Sequence, residues 1–328
     1  MKAITITAIG GPDVLQLDER PEPKVKEGEV KIKVKAFGLN RADIYYRSGN
    51  MGTTEIGRIP GIEAVGELVA DPSGTFSLGQ KVVTVMGGMM LARDGGYAEY
   101  VTAPLNNVLA IDSDIAFPLL ASLPQSYLTI WGALDLNLHI QSGESLLVRG
   151  ATSAAGLAAV TYAKARGLTV IATTRDTTRQ KRLKELGADY VLIDDGVIAE
   201  QVRSIFPDGV DKAIEVVGAA TLKDSMQAIK NRGEVVVIGL LGGSTTLEQF
   251  NLLGDLPNSV KLSFFGSGTL GSQDTPPLND SPLNWIAQQV HLGRMPDITV
   301  EVFPFESIRK AHAHMEDNRA FGKRVVTI

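Results

Sequence analysis

Residues 149–160 read RGATSAAGLAAV, after the apolar run SLLV at 145–148 and ahead of a small-residue stretch. A strand, a tight turn and a helix in that order make a phosphate-binding turn, because the free N–H groups and dipole of a helix N-terminus favour an anion. The dinucleotide fingerprint G-x-G-x-x-G is incomplete here. With the third glycine at Gly156, the second falls on Ser153 and the first on Ala151. Only the glycine that permits close helix–strand packing survives. The replacements are small, so Ser153, Ala154 and Ala155 still allow a phosphate to approach, and the Ser153 hydroxyl brings a donor. The alternative is a helix start chosen for packing alone.

Working outward, strands and helices alternate from about residue 120. SLLVRG precedes AAGLAAVTYAKARG, LTVIATT precedes TTRQKRLKELG, DYVLID precedes VIAEQVRSIF, and KAIEVVG precedes ATLKDSMQAIKN; GEVVVIG and KLSFFG complete the strands. Alternation of β-branched strands with helices predicts an α/β fold, a doubly wound six-stranded parallel sheet covered on both faces. The first third differs. EVKIKVKAFG, EAVGELVA, QKVVTVMG and YAEYVTAP show period-two patterning between glycines and prolines, which predicts an antiparallel β-rich domain. At the C-terminal end, SPLNWIAQQVHLGRM and ESIRKAHAHMEDNRA read as helices, ITVEVFPF and GKRVVTI as strands.

The 328 residues suffice for two domains, and 44% hydrophobic with 21% charged residues predicts packed cores. A net charge of −5 without a basic stripe gives no footing for a nucleic-acid partner. No run approaches the roughly 18 apolar residues of a membrane span, and MKAITITAIGGP lacks a signal core, so no membrane partner and a cytoplasmic protein are expected. The absence of cysteine excludes disulfides, thiolate nucleophiles and sulfur-based zinc sites. His312 and His314 lie two apart on a predicted helix, roughly 200° from one another, and cannot share a metal.

Cofactor choice is read at the end of the second strand of the parallel sheet. An NAD site places an acid there for the ribose hydroxyls. This chain has Thr173 and Thr174, followed by Arg175, with Arg179, Lys181 and Arg182 beyond. Cations at a helix start oppose the dipole, and a bound 2′-phosphate would offset that. The reading favours NADPH over NADH.

With these motifs in place, the chain resembles the medium-chain dehydrogenase/reductase superfamily, in its zinc-independent quinone oxidoreductase branch. GLNRADIYYRSG, PGIEAVGELV, GGYAEYV, GATSAAGLAAVTYAKA, LKELGADYVL and GKRVV carry the likeness along nearly the whole chain. The resemblance implies a GroES-like catalytic domain from 1–121 plus 266–328, a dinucleotide-binding (Rossmann) domain from 122–265, a cleft between them with the nicotinamide at its floor, and a homodimer. Zinc-containing relatives carry cysteine where this chain has Asn40 and histidine where it has Ile62, so no zinc is expected and Glu63 is given a structural role.

Without a Lewis acid to stabilise an alkoxide, hydride transfer to an electrophilic small-molecule acceptor is expected. The resemblance puts Asn40 and Asp43 at the cleft, with Tyr45 beside the acceptor oxygen. It puts Thr129 beside the nicotinamide, Val217, Gly218, Ile238, Gly239 and Leu240 at the carboxyl edge of the sheet, and Phe264 and Phe265 at the domain junction. Three positions depart from the family pattern: Ser153 replaces a glycine, Met51 an aromatic residue, and Asp194 a tyrosine found in NADPH-dependent relatives. The last counts against a 2′-phosphate. The expected activity is NADPH-dependent reduction of a quinone or similar conjugated carbonyl. The alternatives are an enoyl or alkenal reductase on the same fold, and a non-catalytic NADPH-binding sensor or structural protein.

Overall fold

The computed structural model describes residues 1–317 and 321–328. Two units divide the chain: Met1–Leu128 with Ser267–Ile328, and Thr129–Gly266. Among the described residues no helix is long and apolar enough to cross a membrane.

The first unit begins with an antiparallel ribbon, β1 (Lys2–Ile6) on β2 (Leu15–Glu19). β3 (Glu29–Gly38) follows, then helix α1 (Arg41–Arg47), β4 (Glu63–Ala70), β5 (Lys81–Val85), β6 (Tyr100–Pro104), β7 (Val108–Ala110) and the short α2 (Phe117–Leu120). The period-two pattern of β3 is realised: Val30, Ile32 and Val34 are buried, while Lys33 is exposed. Helix α3 (Pro124–Trp131) carries the chain into the second unit and continues through a π-helical turn, Gly132–Asn137.

The second unit alternates β8 (Ser145–Arg149), α4 (Ala154–Ala165), β9 (Thr169–Thr174), α5 (Gln180–Glu185), β10 (Tyr190–Ile193), α6 (Ala199–Ile205), β11 (Val210–Glu215), α7 (Ala219–Gln227), β12 (Ile229–Val237) and β13 (Lys261–Phe264). The six strands pair in the order β10-β9-β8-β11-β12-β13, all parallel. This is the doubly wound dinucleotide-binding topology, with its order reversing between β8 and β11. One boundary differs from expectation. The helix read as ATLKDSMQAIKN stops at Gln227, because Ile229 already pairs with Val210 in the sheet.

Back in the first unit, α8 (Leu283–His291), β14 (Thr299–Pro304), α9 (Ile308–Glu316) and β15 (Lys323–Thr327) complete the chain. The end of the helix read as ESIRKAHAHMEDNRA, at 318–320, lies outside the described residues. The seven-stranded sheet runs β14-β15-β3-β4-β5-β7, with β6 also on β3. It is antiparallel except for the β14–β15 pair, and β15 runs against the end of β3, so Val325 opposes Gly38.

Candidate active site

At the carboxyl edge of the parallel sheet, Gly150 leaves β8 with φ +83, a left-handed conformation that favours glycine. The sequence reading missed this glycine, which lies just before the fingerprint register. Gly156 packs α4 against the turn so closely that a Cβ there would overlap the Gly150 carbonyl. Ser153 is the N-cap of α4. Its Oγ accepts from Gly156 N–H at 3.0 Å and donates to the Gly150 carbonyl at 2.9 Å. The hydroxyl hydrogen expected to reach a phosphate is therefore committed within the turn. The N–H groups of Ala154 and Ala155 precede the first intrahelical bond and have no acceptor among the described residues.

Thr173 and Thr174 end β9 and are buried. Thr173 Oγ1 accepts from Gly150 N–H at 3.2 Å, tying the strand end to the turn. Arg175 is exposed, and no hydrogen bond or ion pair engages it among the described residues. Its basic neighbours are partly offset, Arg179 by Asp176 and Arg182 by Glu185. Further along the edge, Glu215 Oε1 accepts from Val217 and Gly218 N–H at 2.7 and 3.0 Å. Burial pushes the Glu215 carboxyl up, although Ser225, those backbone donors and Arg149 oppose the shift. Ile238, Gly239 and Leu240 follow β12 and are half-buried. Phe265 lies on Gly132 of the π-helical turn, where a Cβ would overlap its ring. Phe264 is 65% exposed on the edge strand, and Thr129 is buried.

In the first unit, Asn40 precedes α1 and is half-buried. Its Nδ2 donates to Glu63 Oε1 at 2.8 Å and its Oδ1 accepts from Lys323 Nζ at 2.7 Å. Lys323 also meets Glu63 Oε1 at 2.6 Å, and both side chains are buried. Gln125 N–H donates to the other Glu63 oxygen at 2.8 Å. The antiparallel register of β15 on β3 brings these residues together, and nothing local in the sequence announces it.

Asp43, expected to line the cleft with Asn40, has no exposed surface and is hydrogen-bonded to the Asn40 backbone. Its Oδ2 accepts from Asn40 N–H at 2.8 Å and from Tyr97 O–H at 2.9 Å, while Oδ1 has no partner among the described residues. Burial pushes its pKa up to about 7 against the pull of Asn40, Tyr97 and Lys323. His312 Nε2 lies 3.1 Å from the Tyr97 oxygen. Since that phenol donates to Asp43, the imidazole donates from Nε2, and Nδ1 has no partner among the described residues. Burial, with Arg47 nearby, holds His312 down to about 3, so the ring is neutral. His314 instead faces Glu301, and the two histidines diverge as expected. Tyr45 is half-buried, and burial raises its phenol while Arg41, one helical turn away, lowers it. Met51 is exposed.

The donor set here does not fit a zinc ion. Ile62 offers no ligand atom, and the Lys323 ammonium is hydrogen-bonded to both Asn40 and Glu63. Among the described residues no cluster of His, Asp or Glu is suited to a metal.

Comparison with known proteins agrees with the topology. Residues 26–113 match the alcohol dehydrogenase GroES-like domain and residues 154–281 the zinc-binding dehydrogenase family. The quinone oxidoreductase of Pongo abelii is 32% identical over 248 residues, covering 74% of each chain. A mycobacterial protein complexed with NADPH is 27% identical, with a TM-score of 0.85 and all of both chains covered. An NAD-dependent alcohol dehydrogenase is 26% identical over the whole of both chains, with a TM-score of 0.87. The α/β sheet, the GroES-like β unit and this relationship agree: the chain belongs to the medium-chain dehydrogenase/reductase superfamily, in the branch that holds the quinone oxidoreductases.

Proposed function

We propose that this NAD(P)-dependent oxidoreductase is an NADPH-dependent, zinc-free reductase of quinones or similar conjugated carbonyls. The observation that carries the reading is Arg175, a cation just after β9 that has no partner among the described residues, in the same sheet edge as two N–H groups at the start of α4 that have no acceptor among them. Ala154 and Ala155 would hold the pyrophosphate by backbone N–H, Gly156 would let the helix approach, and Arg175 would meet a 2′-phosphate. Thr173, Thr174, Val217, Gly218, Ile238, Gly239 and Leu240 would line the remainder of the cofactor edge, with Thr129, Phe264 and Phe265 toward the nicotinamide. The bound nicotinamide supplies the hydride.

The chain's own residues then have to orient the acceptor and supply polarity. Lys323 and Glu63 fix the Asn40 amide, and Asp43 fixes its backbone. Tyr45, a half-buried phenol whose pKa burial raises further, is the hydroxyl offered to an acceptor oxygen. Two carbons held near contact distance obtain much of their rate from this positioning. We also propose a homodimer. β13 is an edge strand whose Leu262 and Phe264 are 41% and 65% exposed, the kind of edge another chain pairs with.

Steady-state assays of NADPH and NADH against quinones, 2-alkenals and enoyl thioesters test the activity. Quinone turnover with NADPH is expected. Turnover confined to alkenals or thioesters would make it an alkenal or enoyl reductase, and cofactor binding without hydride transfer would make it a sensor or structural protein.

A further inference from the structure

The carboxyl edge of the parallel sheet holds a buried ion cluster that the hydride-transfer reading does not use. Arg149, the last residue of β8, has no exposed surface. Its Nε and Nη2 meet Oδ2 and Oδ1 of Asp194 at 3.0 and 2.9 Å, the two-bond geometry in which a guanidinium grips a carboxylate. Its Nη1 meets Asp224 Oδ2 at 2.6 Å.

Asp194 directly follows β10, and its N–H donates to the Thr174 carbonyl at 2.8 Å. An acid therefore stands at the end of β9 after all, supplied by the neighbouring strand, where a dinucleotide fold places the carboxylate that binds ribose hydroxyls. It is fully occupied. Oδ1 accepts from Arg149 and from Gly196 N–H at 3.0 Å, and Oδ2 from Arg149 and from Thr173 Oγ1 at 3.3 Å. A carboxylate offers about four acceptor positions, so none is left for a ribose hydroxyl.

We propose that Arg149 masks Asp194 and thereby sets the cofactor preference. With the acid's acceptor positions occupied, the ribose end of the site is left to Arg175 and accepts a 2′-phosphate. An unmasked Asp194 would instead bind a free 2′-hydroxyl and repel the phosphate. The inference rests on the nicotinamide-cofactor reading above and deepens it.

Asp224 and Glu215 have backbone donors of their own, Ile198 and Ala199 N–H for the first and Val217 and Gly218 N–H for the second. They keep their places when Arg149 is shortened. Arg149→Lys thus retains a cation near Asp224 and loses the two-bond grip on Asp194. Thr173→Val frees one Oδ2 position without changing charge. It also strips the Gly150 N–H of its acceptor, but that acts on the turn shared by both cofactors and cancels in a ratio.

The test is the dissociation constant of the full chain for NADPH and for NADH, by cofactor fluorescence. The wild type is expected to prefer NADPH. Arg149→Lys is expected to move the ratio toward NADH about tenfold, the scale of one charge-assisted contact. Adding Asp194→Asn should return it. Thr173→Val should move it the same way about threefold, and decides the matter should Arg149→Lys fail to fold. A purely structural Arg149 would weaken both cofactors alike, so an unchanged ratio, or a shift that Asp194→Asn does not reverse, overturns the proposal. So does a wild type that prefers NADH. A wild type that binds neither cofactor overturns the functional reading itself.

Discussion

Replacing Asp43 with asparagine is expected to tilt the pH–stability profile upward relative to the wild type. Two buried groups on either side of Tyr97 titrate in opposite senses. Asp43 stands at about 7 in the folded chain against 3.8 ordinarily, so between those values the native state holds a proton that the unfolded state has lost. Its contribution is full below about 3.8 and is lost as pH rises through about 7. His312 stands at about 3 against 6.5, so the unfolded state holds the extra proton. Its contribution is present above 6.5 and is lost as pH falls toward about 3. Each slope is about 1.4 kcal/mol per pH unit. Between about pH 5 and 6.5 each therefore moves stability by roughly 2 kcal/mol, and the two cancel.

Urea unfolding across that range at fixed ionic strength reads the balance. Relative to the wild type, the Asp43→Asn variant should gain roughly 2 kcal/mol from about pH 5 to 6.5, and His312→Gln should lose a similar amount. The asparagine amide meets an unpartnered site where Oδ1 stood, which lowers its whole curve by about 1–3 kcal/mol without tilting it. Parallel curves for all three proteins would refute the assignment of opposed buried charges to this cluster.

Arg175→Ala should raise the Michaelis constant for NADPH about ten- to a hundredfold and that for NADH far less, measured by initial rates; equal effects would sink the 2′-phosphate reading. Gly156→Ala forces a Cβ onto the Gly150 carbonyl and should cost about 1–3 kcal/mol in denaturant unfolding, with weakened cofactor binding. Lys323→Met leaves Glu63 buried without its cation and should cost about 3–5 kcal/mol, read the same way. Phe264→Glu puts a charge on the exposed edge strand and should shift sedimentation toward the monomer.

The parallel sheet was readable because its strands, buried on both faces, are short β-branched runs set between helices of a different period. The end of α7 was not, since Ile229 and Lys230 suit a helix locally and only pairing with β11 makes them a strand. The phosphate turn was readable in outline, but its hydrogen bonds were not: Ser153 signalled a donor for a ligand and serves as the helix cap. Asp43 gave no warning of burial, because its partners Tyr97 and His312 come from distant segments. Arg149 did carry an unread signal. A charged residue closing SLLVR, in a strand expected to be covered on both faces, has to be paired, and that requirement points to acids at neighbouring strand ends.

Each unit holds a buried ion cluster near the candidate site: Glu63 with Lys323 at the start of α1, and Arg149 with Asp194 and Asp224 at the carboxyl edge of the sheet. Buried ion pairs are weak sources of stability, because desolvation offsets most of the attraction, and apolar replacements often serve as well. What they supply is orientation. A guanidinium with its donors committed to two acids fixes the ends of β8 and β10 together with the start of α6, through the Asp224 bonds to Ile198 and Ala199. In the other unit, the ammonium and carboxylate hold one amide, Asn40, from both of its ends. Apolar substitutes would preserve volume but leave strand-end loops and an amide rotor free to sample other positions. A hydride-transfer site loses rate steeply when its groups wander by an ångström, so charge is best spent where geometry, not stability, is limiting.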